Sequence, residues 1–215
     1  MASDGCGYDS MIGLLGGTFD PIHIGHLRIA LEVLEALELR QMRFIPLRDP
    51  PHRGVPEVMP QQRYEMVAAA VADEPRFLVD DCELRREGKS YTADTLSGLR
   101  QEIGEVPLFL LLGSDAFRGF PSWHQPEQVL ALAHLVVLQR PGEMMPNLYP
   151  KRVATSWGDA QSLPGGRILF KSTTQLDISA TNIRRMVRAG LSPRYLIPDA
   201  VLRYISEHRL YQAKE

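Results

Sequence analysis

Gly16-Gly17-Thr18-Phe19-Asp20-Pro21-Ile22-His23-Ile24-Gly25-His26 joins the apolar run Met11 to Leu15, which reads as a short buried strand, to a long helical pattern. It is therefore a strand-to-helix junction, a place where phosphates are held. Two glycines let backbone approach a ligand, and Asp20-Pro21 makes a turn. The helix start offers N–H groups and a positive dipole end to an anion. His23 and His26 sit where that anion would lie, and imidazole there can donate to phosphate oxygens and, if protonated, neutralise charge.

Working outward, Leu27, Ala30, Leu31, Leu34 and Leu37 form one stripe of a helix over residues 24–39. MRFIPL, residues 42–47, reads as a second strand, left by the proline-rich loop 48–54. Strand, helix, strand is a βαβ unit with a right-handed crossover. A helix over 60–72 with proline in its first turn follows, then a strand over 77–84 and a helix from Ser90-Tyr91-Thr92 to Gly104, capped by Thr92 or Ser90. VPLFLLL, residues 106–112, is apolar throughout and predicts a strand covered on both faces at the sheet centre. Beyond it lie an aromatic segment, a helix over 128–133, a strand over 134–138 and an irregular connection over 141–166. A strand over 167–170 and helices over 179–189 and 198–208 complete the chain. The alternation predicts an α/β fold: a doubly wound, mostly parallel sheet in a three-layer sandwich with a small C-terminal helical part. The loops after Leu15, Leu47, Leu112 and Phe170 should converge on one sheet edge.

The 215 residues suit one domain over 11–215 behind a flexible leader, 1–10. With 24 Lys+Arg against 26 Asp+Glu the net charge is -2, so nothing points to a nucleic-acid or anionic-membrane partner, and phosphate binding must be local. Cys6 and Cys82 lack the spacing of a metal or redox pair, and no apolar run is long enough to span a bilayer, which favours a cytoplasmic protein. Dinucleotide, P-loop, nucleophile-elbow and zincin motifs are missing. A His-x-x-His pair alone occurs by chance, as metal ligands or as core histidines; its glycine-rich position favours phosphate contact.

GGTFDPIHIGH resembles the H-x-G-H signature of the nucleotidylyltransferase superfamily, and Ile178-Ser179-Ala180-Thr181-Asn182-Ile183-Arg184 resembles its second signature, I-S-S-T-x-I-R, with Ala180 replacing a serine. Pro50-Pro51-His52-Arg53, Ser90-Tyr91-Thr92-x-Asp94-Thr95, Gly113-x-Asp115 and Ser122-Trp123-His124 are similar to features of bacterial-type nicotinate-mononucleotide adenylyltransferases. That resemblance, from about Ile12 to Tyr211, implies a Rossmann-like fold, ATP and nicotinate mononucleotide as partners, and Mg2+ carried by the ATP phosphates with no protein metal ligand. It implies catalytic His23, His26 and Arg184, with Gly16, Gly17, Thr18, Phe19 and Ser179 also binding ATP. For the mononucleotide it implies His52, Arg53, Tyr91, Thr92, Gly113, Asp115 and Trp123, the tryptophan stacking on the pyridine ring. The alternatives are phosphopantetheine adenylyltransferase and an inactive nucleotide-binding regulator of the same fold. Oligomeric state is not legible.

Overall fold

In the computed structural model, which describes residues 11–50, 54–139, 142 and 145–213, six parallel strands form one sheet flanked by helices. In chain order the strands are β1 (Ile12–Gly17), β2 (Gln41–Pro46), β3 (Phe77–Val79), β4 (Leu108–Gly113), β5 (His134–Gln139) and β6 (Ile168–Ser172). The helices are α1 (Ile24–Ala36), α2 (Pro60–Val71), α3 (Cys82–Arg85), α4 (Thr92–Ile103), α5 (Ser114–Gly119), α6 (Pro126–Leu132), α7 (Gly158–Gln161), α8 (Ala180–Arg188) and α9 (Asp199–Glu207). The sheet order β3-β2-β1-β4-β5-β6 is doubly wound: strand order reverses between β1 and β4, the strand that the apolar run 106–112 predicted at the centre.

The chain divides into two compact units. The first takes the described residues of 1–15, 31–43 and 91–173. Its core runs along β4, which pairs with β1 and β5 on either side and whose residues Leu108 to Leu112 are all buried, as expected for an inner strand with both faces covered. The Arg100 side chain of α4 ties this unit together: its guanidinium donates to the carbonyls of Gly104, Val106, Leu132 and Pro164. His134, fully buried, donates from Nε2 to the Leu163 carbonyl at 2.9 Å and accepts the Arg167 N–H on Nδ1 at 3.1 Å, which fixes a neutral tautomer. These contacts tether the end of the 141–166 connection, which holds a 3-10 turn (Pro150–Arg152) and α7 where the sequence showed no period.

The second unit takes the described residues of 16–30, 44–90 and 174–215, and packs α2 against α9 and β3. Two sequence expectations fail at its margin. The strand expected over 77–84 stops at Val79, because the Asp80 carboxylate accepts the Cys82 N–H at 2.9 Å, an Asx turn that starts α3. Neither Ser90 nor Thr92 caps α4: the N-cap position is Tyr91, with no side-chain cap, and the Ser90 hydroxyl accepts the Asp49 N–H instead.

Candidate functional site

The loop between β1 and α1 carries the first signature, and its shape follows from close packing. Phe19 is buried with φ 49°, and its ring lies where a Cβ on Gly17 would fall, 2.8 Å away, so position 17 must be glycine. The same ring meets the His26 ring edge-on, centroids 5.2 Å apart. His23 and His26 stack at 3.7 Å with 26° between planes. A Cβ on Gly25 would come within 3.0 Å of His23 Nδ1, so the glycine of H-x-G-H makes room for the first histidine's ring.

The protonation of the pair is set by this packing. The His23 N–H donates to His26 Nδ1 at 3.3 Å, so in the neutral ring the proton of His26 resides on Nε2, a donor for an oxyanion. Burial pushes His23 down to about 4, which makes it neutral at pH 7. The charge-neutralising role considered for a protonated His23 is therefore not available at neutral pH. Two imidazolium rings this close would in any case repel by about 4 kcal/mol at an effective dielectric near 20. His23 Nδ1 and Thr18 Oγ1 are buried without a partner among the described residues, a cost of roughly 1–3 kcal/mol each that a ligand oxygen or a water recovers. The helix start offers fewer N–H groups than its sequence suggested, since Ile24 N–H donates to the Leu196 carbonyl and His26 N–H to that of His23.

Arg184 belongs to the second signature. Ser179 is the N-cap of α8, its hydroxyl accepting the Asn182 N–H at 3.2 Å, so the substituted Ala180 lies at the first helical position, where no capping hydroxyl is needed. One turn on, Arg184 donates from Nε to Glu57 Oε1 at 2.8 Å and from Nη1 to the Asp20 carbonyl at 2.7 Å. Its Nη2 makes one long contact, 3.4 Å to Thr181 Oγ1, and is the least engaged nitrogen. Glu57 also pairs with Arg188. The guanidinium is thus held on two edges, with Nη2 left as the donor best able to take an anion.

Sequence reasoning missed the residues that hold this loop. Asp20 is buried, and both its carboxylate oxygens are used: Oδ1 accepts from the Tyr211 hydroxyl at 2.8 Å and Oδ2 from the Glu57 N–H at 2.9 Å. Arg63, fully buried on α2, donates to the Thr18 carbonyl at 2.7 Å and the Arg48 carbonyl at 3.2 Å. Burial lowers its pKa while the charge of Asp20 holds it up. An arginine in register with Met66 and Val67 on the buried face of α2 was the available signal, because a buried charge must have partners. Tyr211 gave none.

The remaining expected residues belong to the first unit or lie outside the description. Tyr91 precedes α4, its ring 4.4 Å from that of His124. Thr92 is the first residue of α4 and half-buried. Trp123 is half-buried, edge-on to Phe120 at 5.4 Å. Asp115, in the first turn of α5, is 85% exposed and pairs with Arg118 at 3.4 Å. Gly113 faces open space, so nothing in the protein itself demands glycine there. His52 and Arg53 lie outside the described residues. Among the described residues no cluster of three or more His, Cys, Asp or Glu side chains could hold a metal ion. Nor is any helix among them long and apolar enough to cross a membrane.

The chain is similar to known proteins. The cytidylyltransferase-like family model matches residues 14–186. A protein of Pseudomonas syringae pv. tomato named "Probable nicotinate-nucleotide adenylyltransferase" is 52% identical over 209 residues, 94% of either chain. One of Halorhodospira halophila with the same name is 50% identical over 206 residues, 93% of this chain and 94% of its own. The structure of Plasmodium falciparum nicotinic acid mononucleotide adenylyltransferase, complexed with NaAD, superposes with a TM-score of 0.73 at 16% identity, over 94% of this chain and 97% of that one, and shares the fold.

Proposed function

We propose that this chain, which belongs to the nicotinate-nucleotide adenylyltransferase family within the cytidylyltransferase-like group, transfers the adenylyl group of ATP to nicotinate mononucleotide. The products are nicotinate adenine dinucleotide and pyrophosphate, a step of NAD biosynthesis. The observation that carries the reading is the stacked His23 and His26 pair, seated by Gly25 on the loop that Arg184 grips through the Asp20 carbonyl.

A phosphate oxygen of the mononucleotide attacks the α-phosphorus of ATP, the new P–O bond forms, and the bond to the pyrophosphate leaving group breaks. No protein nucleophile and no proton transfer are required, so the protein's contribution is positioning and charge stabilisation. His26 donates from Nε2 to an oxygen of the reacting phosphate, and neutral His23 supports it by stacking and by a second donor. Arg184 Nη2 takes the β- and γ-phosphates, beside the Ser179 end of α8. Gly16, Gly17, Thr18 and Phe19 shape the nucleotide seat. Mg2+ carried by the ATP phosphates and water, with no protein ligand, would supply positive charge against that of the leaving group.

For the acceptor, the half-exposed face of Trp123 stacks on the pyridine ring, and the Tyr91-Thr92 start of α4 receives the nicotinate carboxylate. Gly113 allows close approach, and Asp115 accepts from a ribose hydroxyl. His52 and Arg53 meet the mononucleotide phosphate or the departing pyrophosphate. We infer a cytoplasmic location from the cysteines, two in 215 residues and without the spacing of a disulfide framework. Pyrophosphate release from ATP·Mg2+ with nicotinate mononucleotide, with nicotinamide mononucleotide and with phosphopantetheine tests the assignment. Fastest release with the nicotinate acid is expected; turnover only with phosphopantetheine, or ATP binding with no turnover, would replace this reading by one of the two alternatives.

A further inference from the structure

We propose that Tyr211 is a positioning residue for adenylyl transfer, acting through Asp20 on Arg184 and on the loop that carries His23 and His26. The inference rests on the function proposed above. Helices α2 and α9 pack together, and each sends one side chain to the loop after β1: Arg63 from α2 to the Thr18 carbonyl, and Tyr211 from the turn after α9 to Asp20. That turn is firmly set. Leu210 and Tyr211 are buried, the Leu210 N–H closes on the Ile205 carbonyl at 2.9 Å, and Tyr211 adopts φ 61°, a conformation a tyrosine keeps only when its surroundings impose it.

The hydroxyl matters because Asp20 is a hub with no spare acceptor atom. Its Oδ1 takes the Tyr211 O–H, its Oδ2 the Glu57 N–H, and its carbonyl the Arg184 Nη1. Burial and the Asp20 charge raise the Tyr211 pKa, so the hydroxyl keeps its proton and donates at any working pH. Without it, Oδ1 is a buried carboxylate oxygen with no donor; of the two cations near Asp20, Arg63 is held by the Thr18 and Arg48 carbonyls, and Arg184 has its Nη1 already 3.9 Å from Oδ2. Asp20 would draw that guanidinium into a tighter pair and away from an incoming phosphate. Tyr211 thus keeps Asp20 from competing with ATP for Arg184.

The test is a double-mutant cycle of Tyr211→Phe and Arg184→Ala, read in kcat, in KM for each substrate, and in ATP affinity by calorimetry, all well below the melting temperatures. Tyr211→Phe alone should weaken ATP binding and raise KM for ATP about tenfold with KM for the mononucleotide unchanged within about twofold; in the Arg184→Ala background it should add less than about twofold. Equal losses in both backgrounds, or a lowered melting temperature with unchanged ATP parameters, would overturn the proposal. Asp20→Asn, which keeps the shape of the hub without its charge, should weaken ATP binding by less than about twofold and cancel the loss when combined with Tyr211→Phe; a tenfold loss in Asp20→Asn would equally overturn the proposal and decides it if Tyr211→Phe does not fold. A wild type that binds ATP but turns over no nicotinate mononucleotide would sink the acceptor assignment, while the ATP arm of the cycle still decides the role of Tyr211.

Discussion

The residues assigned to ATP and those assigned to the mononucleotide are built differently. Around the loop after β1, Asp20, His23, Arg63 and Tyr211 are buried, and they tie down the half-buried Arg184 and His26: Arg184 is held at the Asp20 carbonyl, Tyr211 at the Asp20 carboxylate, and His26 is packed by His23 and Phe19. The acceptor residues Tyr91, Thr92, Asp115 and Trp123 are exposed or half-buried on helix starts and a 3-10 turn, with few side-chain ties. Charge stabilisation needs donors that do not reorganise when charge develops, which a buried network supplies. Recognition of a flat ring needs a face left open, which a half-exposed tryptophan supplies. Rigidity belongs to the chemistry, openness to the substrate.

Substitutions should separate the two. The largest effect is expected from His26→Ala, which removes the Nε2 donor: turnover should fall by about 10²–10³-fold while the melting temperature moves little. Near-normal turnover in a folded variant would take His26 out of its role. Arg184→Ala should cost somewhat less, about 100-fold in kcat/KM for ATP, as expected for a lost charge-assisted phosphate contact. It should also lower stability slightly, because Glu57 and the Asp20 carbonyl lose a partner. Trp123→Ala should act on the other side alone, raising KM for nicotinate mononucleotide about tenfold, within the roughly 1–3 kcal/mol seen for base stacking on aromatics. A variant that unfolds, or that changes KM for ATP instead, would place Trp123 in the core or in the other group.

The smallest effect is on stability against pH. His23 is held neutral by burial, with its pKa lowered to about 4, whereas the unfolded chain takes up that proton near 6.5. The unfolded state therefore binds more protons between those values, and stability falls as pH drops through that window. The full loss is about 3 kcal/mol, of which roughly 2 is gone by pH 5. Urea unfolding at pH 7 and pH 5 measures it, and His23→Gln should shrink the difference; an undiminished difference would assign it to His134, whose burial shifts it the same way.

What the sequence made legible was periodic or local. The apolar run of β4 and the stripe of α1 are each decided within a few neighbouring residues. The two histidines could be placed at the strand-to-helix junction because one contiguous glycine-rich stretch marks it. Long-range ties were not legible: the partner of Asp20 lies 191 residues away in Tyr211, and that of Thr18 lies 45 away in Arg63. Competition also misled locally, where the Asp80 side chain ended β3 early and Asp49 took the Ser90 hydroxyl from α4.

The central claim, that ATP and nicotinate mononucleotide are joined here without a covalent intermediate, is tested most directly by the fate of labelled ATP. With [α-32P]ATP, Mg2+ and nicotinate mononucleotide, all label consumed should appear in nicotinate adenine dinucleotide, one per pyrophosphate released, with no labelled protein in samples quenched in alkaline detergent, where a histidine phosphoramidate survives. Label on the protein, or pyrophosphate release without the dinucleotide, would contradict the account.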